Sequence, residues 1–393
     1  GIPVEPRSWW GYVISLSVIM QVLVLPLVGA AADRSPSKKR LLGFCAFSGA
    51  TATMAMFLLQ GTAYLQGGIL FVIANVAFGA AAVVYNSFLP EIAAPEDRDR
   101  VSSRGWGIGY FGGGLVLALN LALFSNAASL GLTEAMAVRI SLFSAGAWWA
   151  LWTVPALLGL RNRPPAVRGG RASPFRQIGA IVSHMRGYPR TLTFLIAYLL
   201  YNDAVQAVIA LSAQFGSDEL KIPMPALTMA ILMVQFVAFG GAFLFSVVAA
   251  RTGAKRAIVL SLLIWIGVIL AIYFSVRTTR DFFVMAAIVA LVLGGTQALS
   301  RALYSKMIPP GREAEYFSLY EISDKGTSWL APLIFGLALQ FTGSYRLSIL
   351  SLLAFFIAGL LLLLRVDPER AAAEARGYTG GNGHAVGSHP DPQ

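Results

Sequence analysis

Eleven apolar runs of 17 to 25 residues, separated by short polar segments, order this chain from end to end. They cover 9–32, 41–60, 68–89, 106–125, 139–160, 191–213, 226–250, 257–276, 282–304, 326–342 and 347–364. A helix rises about 1.5 Å per residue and a bilayer's hydrocarbon core is about 30 Å thick, so about 20 apolar residues cross it. Helices of soluble proteins keep a polar face, and these runs do not. The pattern predicts an all-α membrane protein.

The runs also repeat. Run 9–32 ends in Asp33-Arg34 with Lys38 four residues on, and run 226–250 ends in Arg251 with Lys255 four residues on, an offset of 217. Run 68–89 leads to Pro95 and Arg98, and run 282–304 to Pro309 and Arg312, an offset of 214. A parallel repeat of six-helix halves predicts a transporter built of two bundles. At this offset the counterpart of 191–213 falls upstream of Gly1, so eleven of twelve transmembrane helices are expected here. A natural eleven-helix protein is the alternative. The expected units are 1–160 (first bundle), 161–190 (basic linker), 191–365 (second bundle) and 366–393 (disordered tail).

Composition agrees with the pattern: 56% of residues are hydrophobic, 12% are charged, and 39 glycines permit close helix packing. The net charge of +11 could suggest nucleic acid, but its distribution points elsewhere. Alternate connections are basic: Arg34, Lys38, Lys39 and Arg40, then Arg98, Arg100 and Arg104, seven arginines in 161–190, and Arg251, Lys255 and Arg256. Between them, 61–67 and 126–138 have no Lys or Arg, and 214–225 has only Lys221. Basic segments stay cytoplasmic during insertion, so residue 1 is expected outside and the C-terminus inside, in the cell (inner) membrane. The one cysteine, Cys45, and the scattered His184, His384 and His389 give no metal-ligand spacing. No cofactor, metal or nucleic acid is expected, only a small-molecule substrate and the bilayer, with the chain a monomer.

The segment Gly29-x-x-x-Asp33-Arg34-x-x-x-Lys38-Lys39-Arg40 resembles the loop after the second helix of the major facilitator superfamily. Tyr85-Asn86-Ser87-Phe88-Leu89-Pro90-Glu91-Ile92, the run from Val101-Ser102 to Tyr110, Tyr201-Asn202-Asp203 and Gln297 to Arg301 resemble its vacuole effluxer-like branch. The resemblance implies the two-bundle major facilitator fold and a transporter, with amino acids as the substrates of eukaryotic relatives. It also implies a cytoplasmic gate. In it Asp33 docks on the eleventh helix, Arg34 pairs with Glu91, and Asp324 lies at the start of the helix running to 342.

Candidate chemistry lies inside the membrane. Asp203 stands 12 residues into its run, about 18 Å from the basic end and near the midplane. A carboxylate there costs about 2.5–3.5 kcal/mol to insert, so it must meet water, a partner or a proton. Tyr198, Asn202, Gln206 and Asp203 fall at about −40°, 0°, 40° and 100° around the helix, predicting one polar stripe that binds substrate or a proton. The alternative is packing by hydrogen bonds. Gln297 and Arg301, at i and i+4, suit an anion clamp, unless Arg301 snorkels to the interface. Asn86 occupies the matching place in the first half, and is either ligand or interhelical glue. Gly105, Gly109 and Gly113 are expected to form a packing ridge, since Gly107-x-Gly109-x-x-Gly112 lies in a membrane run and not after a strand. No enzymatic motif stands out. The expected function is proton-coupled secondary transport by alternating access, with a passive facilitator or a non-transporting receptor or structural subunit as rivals.

Overall fold

The computed structural model describes residues 6–164, 179, 181, 183–325 and 330–377. Most of the basic linker, the first residues of the 326–342 run and the tail beyond Gly377 therefore lie outside the described residues. Among the described residues, ten helices are long and apolar enough to cross a membrane. In chain order the helices are α1 (Pro6–Arg34), α2 (Lys38–Ala55), α3 (Tyr64–Ser87), the short α4 (Leu89–Ile92), α5 (Arg98–Ser125), α6 (Glu134–Gly159), α7 (Pro189–Gln214) and α8 (Met224–Thr252). They continue with α9 (Ala254–Phe274), α10 (Thr279–Lys306), α11 (Glu313–Lys325), α12 (Leu330–Thr342), α13 (Tyr345–Ser351), α14 (Leu353–Arg365) and α15 (Pro368–Gly377). Together α13 and α14 make one span. Large apolar side chains such as Phe44, Leu158 and Phe341 face outward, as the surface of a protein solvated by lipid does.

Packing follows the repeat. In the first half α1 and α2 lie against α3; in the second, α8 and α9 lie against α10. Helix α2 also packs on α6, as α9 packs on α13 and α14. Thus α1 holds the place of α8, as the 217-residue offset requires. Helix α7 packs on α14 and has no counterpart among the described residues of the first half. The halves meet where α5 lies on α8 and α10, and where α11 lies on α1 and α3.

Three expectations change. The run 326–342 is preceded by α11, a helix that hydropathy passes over because it carries Glu313, Glu315, Glu321, Asp324 and Lys325. It is nonetheless buried between the halves, because its charges find partners there. Glu321, Asp324 and Lys325 therefore lie within a helix that already begins at Glu313 instead of starting one themselves. Second, 366–393 is not uniformly disordered. Its beginning, through Val366, leads into α15, where Ala371 and Ala375 are buried and Glu374 pairs with Arg190. Third, the glycines of α5 closest to α8 are Gly107 and Gly114, whose added Cβ atoms would stand 2.8 Å from the Phe243 ring and 3.0 Å from Gln235 Cβ; of the expected ridge only Gly113 faces α8, at 3.8 Å from Gln235 Oε1. Gly109 faces open space and Gly105 faces Arg301.

Candidate functional site

The basic ends of the two halves are joined by buried side chains. Arg301, two turns from the end of α10, is only 6% exposed and does not snorkel. Its guanidinium crosses to the first half, donating to Ser102 Oγ at 2.9 Å, to the Ser102 carbonyl at 3.1 Å and to Asn86 Oδ1 at 3.1 Å. The rings of Tyr85 and Trp106 flank it. Ser102 in turn donates to the Ala298 carbonyl at 2.6 Å, so α5 and α10 are hydrogen-bonded in both directions.

From Asn86 the chain of contacts passes to α11. Asn86 Nδ2 donates to Glu321 Oε1 at 2.6 Å, and Lys325 Nζ donates to Glu321 Oε2 at 2.9 Å and Asp324 Oδ2 at 3.2 Å. Asp324 Oδ1 accepts from Asn202 Nδ2 at 2.8 Å and from the Tyr198 hydroxyl at 3.0 Å. Five helices, α3, α5, α7, α10 and α11, are thereby linked through Arg301, Glu321, Lys325 and Asp324. Two cations and two carboxylates balance, which is what makes their burial affordable in a medium of low dielectric.

Nearer the basic surface lies a second set of contacts. Asp33, at the end of α1, accepts from the backbone N–H of Ala314 at 2.9 Å and of Glu315 at 2.8 Å. These are exposed donors of the first turn of α11, where the helix dipole favours negative charge. The docking point is thus the start of α11 at Glu313, 11 residues before Asp324. Arg34 faces Glu315 at 3.6 Å, and not Glu91. Glu91 is held by Lys38 at 2.6 Å, because the first turn of α2 brings that lysine to the end of α3. Lys306 pairs with Asp99 at 2.7 Å across α10 and α5.

Toward the opposite face lies a cavity of about 340 Å³. Its polar lining is Tyr110, Gln206, Ser212, Gln235 and Gln297; the rest is largely aliphatic, including Val234, Leu293 and Ile349. Tyr110 donates its hydroxyl to Gln297 Oε1 at the floor. No Asp, Glu, His, Lys or Arg is among the lining residues.

The expected polar stripe of α7 is therefore divided. Gln206 faces the cavity, Tyr198 and Asn202 hold Asp324, and Asp203, about 100° further round, turns to α12. Asp203 is 1% exposed; Oδ2 accepts from Ala331 N at 2.8 Å, while Oδ1 is buried without a partner. It does not line the cavity in this conformation, and neither do Arg301 and Asn86. Gln297 does. Sequence reasoning missed Ser102, a small polar residue whose only signal was its place in a segment with a family resemblance. It also gave no role to Tyr110, named only as the end of that same segment, and did not single out Gln235.

Known proteins share this architecture and sequence. The family model for vacuole effluxer Atg22-like proteins matches residues 1–99 and 94–376. The uncharacterised major-facilitator-type transporter YxiO of Bacillus subtilis is 29% identical over 369 residues, covering 93% of this chain and 86% of that protein. Autophagy-related protein 22-1 of Penicillium rubens is 26% identical, covering 95% and 78%. Among solved structures, FucP in the outward conformation superposes with a TM-score of 0.73 at 12% identity, covering 93% and 91%. An outward-facing bacterial homologue of the iron transporter ferroportin gives 0.68 at 16%, covering 92% and 91%. The fold is that of the major facilitator superfamily, whose members are transporters and not enzymes, and the chain is an integral membrane protein that belongs to the vacuole effluxer Atg22-like family.

Proposed function

We propose that the protein is a secondary active transporter that moves a small, amino-acid-like solute by alternating access, driven by a proton gradient. The observation that carries this reading is the buried network from Ser102 through Arg301, Asn86, Glu321 and Lys325 to Asp324. It ties the halves together beneath a cavity, and among the described residues no such charged network joins the halves at the other end of that cavity. Transport then requires the network and the Asp33 contact to open while the far side closes. Tyr110, Gln206, Gln235 and Gln297 would hold the polar groups of the solute, with its apolar part against the aliphatic wall. Asp203, with one carboxylate oxygen unpartnered, is the group best placed to carry the coupling proton. Asp33, Arg34, Glu91 and Asp324 would act in the gate, the first two through Ala314 and Glu315, the others through Lys38 and Lys325. The basic face would be cytoplasmic, with residue 1 outside, in the cell (inner) membrane.

The test is uptake into proteoliposomes of a panel of radiolabelled neutral, acidic and basic amino acids, with and without an imposed pH gradient. Accumulation above equilibrium only with the gradient is expected. Equilibration without accumulation would mean a facilitator. Failure of every solute to move while the protein is folded and inserted would count against transport of this class.

A further inference from the structure

We propose that the basic face carries a binding site for a phosphate-bearing anion, set between the two halves of the molecule. The site is a cleft of about 1420 Å³, with walls from both halves. Arg98 and Arg163 come from the first half. Lys255, Arg256, Lys306, Arg365 and Arg376 come from the second. Against these seven cations the lining offers three carboxylates, Glu313, Asp367 and Glu369.

The surplus is not cancelled within the cleft. Leaving Arg376 aside, Lys306 alone of the other six has a carboxylate within ion-pair distance among the described residues, Asp99. Arg98, Arg163 and Lys255 donate to the carbonyls of Ser305 at 2.7 Å, Glu91 at 2.5 Å and Leu364 at 2.9 Å. Such bonds fix where a cation sits without neutralising it. Arg256 and Arg365 are exposed and make no ion pair or hydrogen bond among the described residues. Of the three acids, Asp367 pairs with Arg370, outside the lining, at 3.2 Å and caps α15 through Glu369 N and Arg370 N, each at 3.1 Å; Glu313 accepts from Gly311 N at 3.0 Å and keeps its charge.

Insertion topology explains why these residues lie on one face. It does not explain why six separate stretches of sequence bring them to one cleft, where like charges repel. An anion resolves that repulsion. Phosphate suits guanidinium forks, and the ends of membrane-spanning helices lie at the depth of lipid headgroups. Local structure points the same way. Helix α9 begins after Gly253, whose φ of 86° starts the helix with no side-chain cap, and Lys255 and Arg256 sit in its first turn. Cations there oppose the helix dipole, whereas a bound anion would accept the uncapped N–H groups.

The chemistry is shared by a free polyphosphate and by a phosphomonoester lipid headgroup. In either case the anion would touch both halves and hold the basic face closed. That consequence rests on the alternating-access reading; the binding itself does not.

Purified full chain in zwitterionic nanodiscs should be titrated with inorganic pyrophosphate. A parallel set of nanodiscs should contain increasing phosphatidic acid and no added phosphate, and both should be followed by thermal unfolding. A saturable rise in the unfolding midpoint is expected, in the first arm for a soluble ligand or the second for a lipid. In Arg256→Gln/Arg365→Gln the half-saturating amount should rise about tenfold or more, whereas the double Lys variant should keep part of the response. Neither side chain has a partner to lose, so the unliganded midpoint should match wild type. An equal response of wild type and the Gln variant, no response in either arm, or the same rise with sodium chloride at matched ionic strength would overturn the proposal.

Discussion

Asp33 shows how much one side chain decides at the residue scale. Its carboxylate receives two backbone donors of α11, and an amide has only one oxygen to receive them. Asp33→Asn should weaken the contact by about 0.3–2 kcal/mol, a several-fold shift toward opening of the basic face. Faster thiol labelling of a cysteine placed at Ala298 would register the shift; an unchanged rate would leave Asp33 a topology charge only. Asp203 allows a different separation. Asp203→Asn keeps the size of the side chain and an oxygen for Ala331 N. If the carboxylate carries the coupling proton, gradient-driven accumulation should be lost while gradient-free exchange survives. Loss of both would make Asp203 a substrate ligand, and retention of both would make it a packing residue. His184, at 2.9 Å from the Tyr316 hydroxyl, has its pKa lowered by burial first and by Arg312 second. A histidine harder to protonate when folded supports the fold above its usual pKa of about 6.5 and withdraws that support as pH falls. Acidification from about pH 7.5 to 5.5 should therefore lower hydrogen-exchange protection around Tyr316, taken relative to the intrinsic exchange rate at each pH, and His184→Gln should blunt the effect. An identical acid response in the variant would clear His184 of any part.

Elements approach one another as closely as they do because of particular small residues. A Cβ on Gly29 of α1 would stand 2.5 Å from the Ala314 carbonyl oxygen of α11. Backbone cannot yield as a flexible side chain can, so Gly29→Leu should push α11 away and disturb the Asp33 contact beside it, at about 1–3 kcal/mol. Lowered thermal stability together with the opening seen for Asp33→Asn is expected. Stability and labelling both at wild-type levels would show that α1 and α11 tolerate a wider gap. Helix α11 also explains why apolar run length is a poor guide between the halves. A polar helix enters a membrane protein's interior when its charges have partners, and here these come from α11 itself and the turn before it as well as from α1, α3 and α7.

Across the whole molecule, the ties between halves are concentrated at the basic face, so one covalent tie there should arrest the cycle. Asp99 and Lys306 lie on α5 and α10 with 2.7 Å between their charged atoms. Cys45, the only native cysteine, is buried. A short bifunctional thiol reagent acting on Asp99→Cys/Lys306→Cys should abolish transport, and cleavage of a reducible linker should restore it. Full transport with the cross-link in place would exclude separation of α5 from α10 as part of the cycle. The same pair, probed with impermeant reagents in intact cells, reports which side of the membrane the basic face occupies.

Membrane character, most helix boundaries to within several residues, the repeat and the basic face were legible in the chain, but α11 was not. Each rests on local physics: apolar length against bilayer thickness, and charge against the direction of insertion. Asn86, Asn202, Asp203, Gln297 and Arg301 were equally visible as costly groups in apolar runs, because hydrocarbon makes any polar residue conspicuous, and Asp33 was visible through the segment that carries the resemblance. Their partners were not. Arg301 was read as clamp or snorkel, since its own helix offers only those choices, but Ser102, 199 residues away in sequence, receives it. The stripe on α7 was real as an angle, yet a helical wheel cannot say that α11 and α12 divide its faces between them. Periodicity and composition act along one helix, whereas partner choice, closure of the basic face and the walls of the cavity arise only when helices from both halves meet.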